Sequence, residues 1–295
     1  AIGAVVVMAL ACYPFPLSFI ELKNDEKLVS ANEDEYGVQV LTRTKNGMMR
    51  VRNNRLHLIY DLGHPETSYA QQMAAHLTVL LVRRCDDVLN IGTGYGITAG
   101  AFTLFKDVRS IDTIEILPFI IREQKRFKGF NFDYLKDPRV NLMQGDGRHS
   151  LFTTPKTYDI ISINVLDPYL PGSSSLYTVD FWKEVHRHLR PGGVCTQLLW
   201  GKDIPLLLKG LKTVFPTVLL FPAYGGTSFN CVAFKDHLSQ ADLHLHMERF
   251  GSEAVGEIHG LTRMDPDSLF PKLVSEAWRR SPKFAGIAAR ASGRL

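Results

Sequence analysis

Three glycines at alternate positions are the first residues of this chain whose type and spacing point to ligand binding. Gly92, Gly94 and Gly96 follow an apolar run at residues 88–91, and a helical pattern begins at Ile97. Glycines between a strand and a helix let the backbone turn tightly and approach a ligand closely. The segment therefore predicts a nucleotide or nucleoside site, with a tight turn that binds no ligand as the alternative.

Two acids follow the next two apolar runs. Glu115 lies near the end of the run at residues 111–116, and Asp146 follows the run at residues 140–143. A carboxylate at the first place can accept two hydrogen bonds from a ribose diol, and one at the second place can accept a bond from the exocyclic amine of adenine. We therefore predict that both acids bind a nucleoside. The alternatives are a solvated acid at a strand end and an aspartate in a turn.

A loop after the fourth apolar run is predicted to face the reactive end of the ligand. Asn164 ends that run, and Asp167 follows it in an Asp-Pro pair. An aspartate here can orient or deprotonate an incoming nucleophile, which makes Asp167 the candidate catalytic residue. The alternative for Asp167 is a turn residue set by Pro168. Tyr169 and Tyr177 are candidates for the wall of the pocket.

A parallel sheet can bring these loops together, since ligands bind outside the carboxyl ends of parallel strands. From residue 87 onward apolar runs alternate with helical patterns, which indicates an α/β fold with helices on both faces of the sheet. The last two runs follow each other without a helix, as in the seven-stranded methyltransferase-like Rossmann sheet. The predicted strands are residues 88–91, 110–116, 140–143, 158–164, 194–199, 217–221 and 228–234, and the predicted helices are residues 65–82, 97–105, 118–127, 179–189 and 204–214.

Four regions are predicted along the chain. Residues 1–30 form an apolar N-terminal segment, 31–64 a small antiparallel β unit, 65–235 the Rossmann-like domain, and 236–295 a helical extension. In the β unit, apolar and polar residues alternate on both sides of Asn46-Gly47, which is typical of a hairpin turn.

The composition excludes several classes of protein. Hydrophobic residues make up 45% of the 295 residues and charged residues 22%, and the net charge of +4 is too small to indicate a nucleic-acid partner. The four cysteines are not spaced as metal ligands or as a disulfide framework. We therefore expect reduced thiols, no metal and a reducing compartment, the cytoplasm.

Residues 1–20 contain no charged side chain, and three interpretations of them are open. The segment can be a buried strand or helix, the end of a membrane-spanning helix, or a signal-like segment. Pro14 and Pro16 are unfavourable within a spanning helix. Membrane association through the N-terminus is therefore one of the alternatives.

Several motifs together resemble the spermidine synthase family, the aminopropyltransferases. The similar stretches are residues 158–168, the Leu-Tyr-Thr-x-acid-Phe-aromatic segment at 176–182 and the Leu-x-Pro-Gly-Gly turn at 189–193, in the family's order. Residues 32–40 are similar to the family's first strand, and the resemblance covers residues 33–235. It implies a small N-terminal β unit, a methyltransferase-like Rossmann domain, decarboxylated S-adenosylmethionine as the ligand, and a homodimer.

The chain departs from the family's pattern where the family binds the amine. Tyr95 stands at the place of an aspartate that helps to hold the aminopropyl arm, and Asn164 at the place of the aspartate taken as the base. Gly37 and residues 70–72 replace the family's glutamine and its Tyr-His-Glu segment. An amide cannot act as a useful general base or neutralise an ammonium. We therefore expect an intact nucleoside end, with Tyr95 and Asn164 beside the ligand, and an altered acceptor end.

Three functions remain open from the sequence. The first is aminopropyl transfer from decarboxylated S-adenosylmethionine to a small-molecule amine, with Asp167 positioning the acceptor. The second is methyl transfer from S-adenosylmethionine, because the same sheet serves both reactions. The third is a non-catalytic binding or scaffold subunit, joined to a membrane or protein partner through residues 1–20 and 236–295.

Overall fold

The computed structural model describes residues 22–53, 58–62, 65–165, 168–169, 172–200, 203–224 and 228–237. The chain divides into two compact units between Asp61 and Leu62. The apolar segment at residues 1–20, Asp167 and all but the first two residues of the extension predicted at residues 236–295 lie outside the described residues. Within the described ranges, no helix is long and apolar enough to cross a membrane.

The first unit is a four-stranded sheet of β1 (Glu26–Asp34), β2 (Gly37–Thr44), β3 (Met49–Asn53) and β4 (Leu58–Leu62), in the order β1-β2-β3-β4. β2 pairs antiparallel with both β1 and β3. The predicted hairpin turn lies between β2 and β3, where Gly47 has a φ of +86° and its N–H donates to Thr44 O at 3.0 Å. The small antiparallel unit is thus confirmed.

Residues 32–40, which resemble a single strand of a known family in sequence, contain a turn between two strands. The chain turns back between Asp34, the last residue of β1, and Gly37, the first residue of β2. Asp34 Oδ1 accepts a hydrogen bond from Tyr36 N at 2.9 Å, and Gly37 has a φ of +99°. An aspartate that bonds to the backbone two residues later, followed by a glycine, forms a turn even where apolar alternation continues.

Glu26 explains why β1 begins within the range predicted as the N-terminal segment. Its side chain is buried, and its carboxylate pairs with Arg50 Nη1 at 2.5 Å and with Arg52 on β3. A buried carboxylate is stable only when it is paired and hydrogen-bonded. The two arginines therefore hold the start of β1 against the sheet across β2.

The second unit contains a seven-stranded sheet of β5 (Asp87–Ile91), β6 (Ser110–Glu115), β7 (Val140–Gln144), β8 (Tyr158–Ile163), β9 (Leu189–Trp200), β10 (Thr217–Tyr224) and β11 (Ser228–Phe234). Their order is β10-β11-β9-β8-β5-β6-β7. Strands β9, β8, β5, β6 and β7 are parallel neighbours, and β11 runs antiparallel to both β9 and β10. The predicted methyltransferase-like Rossmann sheet is confirmed.

Helices cover both faces of this sheet: α1 (Pro65–Leu81), α2 (Ile97–Thr103), α3 (Pro118–Glu123), α4 (Gly147–Thr153), α5 (Val179–His188) and α6 (Ile204–Lys212). One buried cluster joins Met73 of α1 and Phe102 of α2 to Val88, and the other joins Phe181 of α5 to Leu89. Successive side chains of β5 thus enter different cores, as expected for a strand that is buried on both faces.

The start of β9 also differs from the prediction. The sequence places a turn at residues 190–193 and a strand from residue 194, whereas β9 follows α5 directly and begins at Leu189, which pairs with Tyr158. The Pro-Gly-Gly segment is an irregular part of the strand, where Gly192 has a φ of +76° and the register with β8 shifts. Residues 190–193 are not among the pairs with β8, so the predicted turn is kept as a bulge between Leu189 and Val194.

His76 makes the stability of the second unit depend on pH. It is buried in α1 beside Phe105, and burial lowers its pKa from 6.5 to about 3. Between pH 6.5 and pH 3, His76 is protonated in the unfolded chain but neutral in the folded chain. The free energy of unfolding should therefore fall as the pH is lowered from 6.5 towards 3, by up to about 1.4 kcal/mol per pH unit. His76→Leu should remove this part of the slope in urea unfolding at several pH values. Exposed His149→Gln is the control, and an unchanged slope in His76→Leu would contradict the assignment.

Candidate functional site

The glycine loop joins β5 to α2 at the carboxyl edge of the sheet. Gly92, Gly94 and Gly96 have φ values of +83°, +52° and +80°, a region that glycine adopts without strain. A Cβ added to Gly92 would lie 3.0 Å from Val165 Cγ2 and 3.3 Å from the carbonyl of Asn164. The loop after β5 therefore runs directly against the loop after β8.

Glu115, the last residue of β6, lies under the glycine loop. Its Oε2 accepts a hydrogen bond from Gly94 N at 2.8 Å and its Oε1 accepts one from Leu117 N at 3.0 Å. The side chain is buried, and this burial raises the pKa of the carboxyl group although the backbone N–H groups act in the opposite direction. The structure thus places the predicted ribose-binding carboxylate in contact with the predicted glycine loop.

Three further side chains, which the sequence did not suggest, hold the other side of this loop, two of them directly and one through its neighbour. Gln124 Nε2 donates to Gly94 O at 2.6 Å, and Tyr134 Oη donates to Gln124 Oε1 at 2.9 Å. Asn131 Nδ2 donates to Tyr95 O at 3.0 Å. The backbone of the loop is therefore bonded from both β6 and the segment that follows α3, which fixes its shape before any ligand binds.

Tyr95, which stands where the resembled family has an acid, is almost completely buried. Its ring packs edge-on against Phe127, with 5.0 Å between the ring centroids. The side chain is thus part of the packing beneath the loop. Position 95 therefore contributes a buried aromatic ring to the packing and no negative charge to the site.

Asp146 follows β7 and caps α4, a helix that the sequence did not predict. Its Oδ1 accepts hydrogen bonds from Arg148 N at 2.7 Å and from His149 N at 3.2 Å, the bonds expected of an N-cap residue. Oδ2 takes part in neither bond. The adjacent Gly145 N donates to Glu115 O at 3.0 Å, so the loop after β7 reaches the same edge as Glu115.

Asn164 follows β8 and is turned towards the strands. Its backbone N–H donates to Ile91 O at 2.8 Å, and its Nδ2 donates to Asn90 Oδ1 at 2.5 Å and to Ser162 Oγ at 3.0 Å. This amide is therefore bonded to the two strands, β5 and β8, whose loops meet at Gly92. Asn90 is a further residue of the site that the sequence did not suggest.

The loop between β8 and α5, which contains Asp167, is anchored by the residues on its two sides. Tyr177 Oη donates to Val165 O, Gln197 Nε2 donates to Leu176 O at 3.1 Å, and Arg148 Nη1 donates to Ser175 O at 2.9 Å. Tyr177 is thus an anchor of this loop, whereas Tyr169 is 57% exposed. Asp167 itself lies outside the described residues, so its catalytic role stays a prediction.

The structure brings the glycine loop, Glu115 and Asn164 to one edge of the sheet, with the Asp146 loop beside them. The side chains that meet there are a buried carboxylate and a set of neutral amides and hydroxyls. A buried carboxylate can accept hydrogen bonds from a diol, and neutral oxygens can accept them from N–H groups. The side chains at this edge can therefore accept hydrogen bonds from the diol and the N–H groups of a nucleoside.

Comparison with known proteins gives one family. The model of the spermine/spermidine synthase domain matches residues 66–241, which is more than half of the chain. Similar proteins include a polyamine aminopropyltransferase of Alkaliphilus oremlandii, 24% identical over 217 residues, with 69% of this chain and 72% of that protein covered. Spermidine synthase 1 of Datura stramonium is 32% identical over 178 residues, with 60% of this chain and 56% of that protein covered.

A third relative is named for the transfer of a methyl group instead of an aminopropyl group. Putrescine N-methyltransferase 2 of Nicotiana attenuata is 28% identical over 185 residues, with 62% of this chain covered. The chain spans about half of the length of this protein, 48%.

Among solved structures, two spermidine synthases share the fold. One, crystallised with the transition-state analogue AdoDATO, aligns with a TM-score of 0.66 at 16% identity and covers 91% of this chain and 89% of that one. The enzyme of Thermotoga maritima aligns with a TM-score of 0.64 at 15% identity and covers 91% and 88% of the two chains.

Proposed function

This chain belongs to the spermine/spermidine synthase family, and from this premise we propose that it transfers an aminopropyl group from decarboxylated S-adenosylmethionine to an amine through an altered acceptor site. Aminopropyl transfer to small amines such as putrescine is the activity of the family. We also propose that the chain forms a homodimer.

The contact between Glu115 and the glycine loop carries the proposal. The 2.8 Å bond from Gly94 N orients the carboxylate at the carboxyl end of β6, where a ribose diol can donate to it. Asp146 Oδ2, on the neighbouring loop, is available for an adenine amine. These residues fit the nucleoside that decarboxylated S-adenosylmethionine shares with S-adenosylmethionine and methylthioadenosine.

The reaction needs little chemistry from the protein beyond positioning. The lone pair of the acceptor amine attacks the propyl carbon that is bonded to the sulfonium sulfur. The new C–N bond forms as the C–S bond breaks, its electron pair goes to sulfur, and methylthioadenosine leaves. The attacking nitrogen then loses one proton, for which Asp167 is the candidate acceptor.

Loss of negative charge is the reason to propose an altered acceptor site. A diamine such as putrescine is a dication, and each carboxylate in contact contributes about a few kcal/mol of attraction near a protein surface. Tyr95 and Asn164 supply no charge. We therefore expect weaker binding of a diamine than in a relative with both acids, while binding of the nucleoside is kept.

Methyl transfer from S-adenosylmethionine is the second candidate. The similarity to a putrescine N-methyltransferase favours it, because that relative has a different transfer in its name. Positions 95 and 164 carry neutral side chains, which would not repel the carboxylate of S-adenosylmethionine as two acids would. The site therefore has less electrostatic preference for the decarboxylated ligand.

Calorimetry with three ligands tests these proposals. Decarboxylated S-adenosylmethionine, S-adenosylmethionine and methylthioadenosine are titrated into the full chain, and turnover with putrescine is then measured. Binding of the decarboxylated form together with putrescine turnover supports aminopropyl transfer. A clear preference for the carboxylated form supports methyl transfer, and binding of none of the three would overturn both and leave a non-catalytic subunit.

Asn164→Asp should raise the rate of aminopropyl transfer. General bases typically contribute about 10² to 10⁴-fold, and because the rest of the acceptor site is altered we expect about a 10-fold gain in kcat/KM. Asn164→Leu is the matched variant that adds no base. No gain with aspartate would show that the acceptor pocket has changed elsewhere as well.

A further inference from the structure

Three polar residues stand side by side within the apolar strands behind Asn164. Ser162 of β8, Asn90 of β5 and Thr113 of β6 are direct neighbours in the registers of the sheet, and all three are fully buried. Buried polar groups in a sheet core are costly unless they are hydrogen-bonded. A row of three across neighbouring strands, ending below the glycine loop, therefore calls for a functional account.

The hydrogen bonds of Asn90 determine how its amide is turned. Its Nδ2 donates to Thr113 Oγ1 at 2.9 Å and to Gly92 O at 3.5 Å, and because a carbonyl oxygen can only accept, the NH₂ group lies on this side. The Thr113 hydroxyl is in turn bonded to the Thr93 hydroxyl of the glycine loop at 2.7 Å. This leaves Asn90 Oδ1 to accept from Asn164 Nδ2 at 2.5 Å. With Asn90 turned the other way, two NH₂ groups would face each other, so the two amides keep their orientations together.

The donors and acceptors of the Asn164 amide show which of its atoms is left for a ligand. An amide nitrogen carries two hydrogens, and Asn164 Nδ2 gives them to Asn90 Oδ1 and Ser162 Oγ. Within the described part of the chain, no donor bonds to Asn164 Oδ1. Asn164 is partly exposed at the end of β8, so this oxygen is the hydrogen-bonding atom that the side chain can offer outside the strands.

We propose that Asn90 is a positioning residue that, with Ser162, orients the Asn164 amide so that Oδ1 accepts a hydrogen bond from the N–H group of the acceptor amine. The proposal deepens the proposed function and rests on it for the identity of the ligand. A neutral oxygen lacks the charge by which a carboxylate favours the ammonium form. Acceptor amines of lower pKa, which are more often unprotonated and thus nucleophilic, should therefore be used relatively well.

The orientation is tested without any activity. In side-chain amide spectra of the ¹⁵N-labelled full chain, the signal of Asn164 is identified by its absence in Asn164→Asp. Its two Nδ2 protons should exchange with D₂O at least about 10-fold more slowly than those of an asparagine in a short peptide, because both are bonded within the protein. Asn90→Leu should remove the protection of the proton that is bonded to Asn90 Oδ1. Fast exchange of both protons in the unsubstituted chain, or protection of both protons that survives Asn90→Leu, would overturn the proposal.

A double-mutant cycle tests the coupling to the amine. Asn90→Leu should raise the KM for the amine by about 3- to 10-fold, the effect of one oriented hydrogen bond, with little change in affinity for methylthioadenosine. The same substitution made in Asn164→Ala should have no further effect. Equal effects in both backgrounds would mean that Asn90 does not act through Asn164.

Asn230→Leu is the matched control for this cycle. Asn230 is also a fully buried asparagine within the same sheet, and its Nδ2 donates to Ala70 O at 3.1 Å. Asn230→Leu should lower the free energy of unfolding by about as much as Asn90→Leu does, without changing the KM for the amine. If no amine is turned over by any variant, the proposed function fails, whereas the exchange experiment still decides the orientation of Asn164.

Discussion

Replacing Glu115 with alanine is expected to lower the affinity for methylthioadenosine by at least about 100-fold. A hydrogen bond to a charged group contributes about 1.5–3 kcal/mol, and a ribose diol makes two of them with one carboxylate. The variant also leaves Gly94 N and Leu117 N without their acceptor, so the glycine loop loses its attachment to β6. Both losses act on the same ligand, and calorimetry with methylthioadenosine measures their sum.

Asp112→Ala is the control that separates ligand binding from stability. Asp112 is a buried acid on the same strand, and it accepts hydrogen bonds from Lys156 Nζ at 2.8 Å, Tyr158 Oη at 3.1 Å and Asn141 Nδ2 at 3.2 Å. Both variants should lower the free energy of unfolding by about 2 kcal/mol or more. The Asp112 variant should keep the affinity for methylthioadenosine within about threefold, because Asp112 lies away from the carboxyl end of β6. Normal affinity in the Glu115 variant would place the nucleoside elsewhere.

The residues of the glycine loop and Glu115 could be predicted because local sequence encodes them. The loop needs glycine wherever its φ is positive, and Glu115 stands at the end of an apolar run in a sheet whose carboxyl ends converge. The strand pattern was right for the same reason, since parallel strands buried on both faces are continuous apolar runs.

The partners that hold the loop could not be predicted from the sequence. Gln124 bonds to Gly94 across 30 residues and Asn131 bonds to Tyr95 across 36 residues, and neither spacing belongs to a local motif. Asn90 was hidden for a related reason. Its role depends on the register that sets it beside Ser162 and Thr113, and register is decided by tertiary packing.

Gly100→Ala is expected to lower the free energy of unfolding by about 2–4 kcal/mol. In an exposed helix this change would stabilise by about 1 kcal/mol, because alanine is the better helix former. In α2, however, an added Cβ would lie 2.1 Å from Asn131 O and 2.9 Å from Asn131 C. These are backbone atoms that cannot rotate away, so α2 has to move, and overpacking of this kind costs more than the propensity contributes.

The displacement should also reach the ligand, because Asn131 Nδ2 holds Tyr95 O at 3.0 Å. Urea unfolding and methylthioadenosine calorimetry of Gly100→Ala should therefore both show a loss. Gly129→Ala is the matched control: no atom lies within 4 Å of its added Cβ, and its change in stability should stay within about 0.5 kcal/mol. If Gly100→Ala unfolds at the same urea concentration as the unchanged chain, α2 does not pack against the backbone of Asn131. A loss of stability with unchanged affinity would instead show that the glycine loop keeps its shape without that packing, and that Glu115 and Gln124 suffice to hold it.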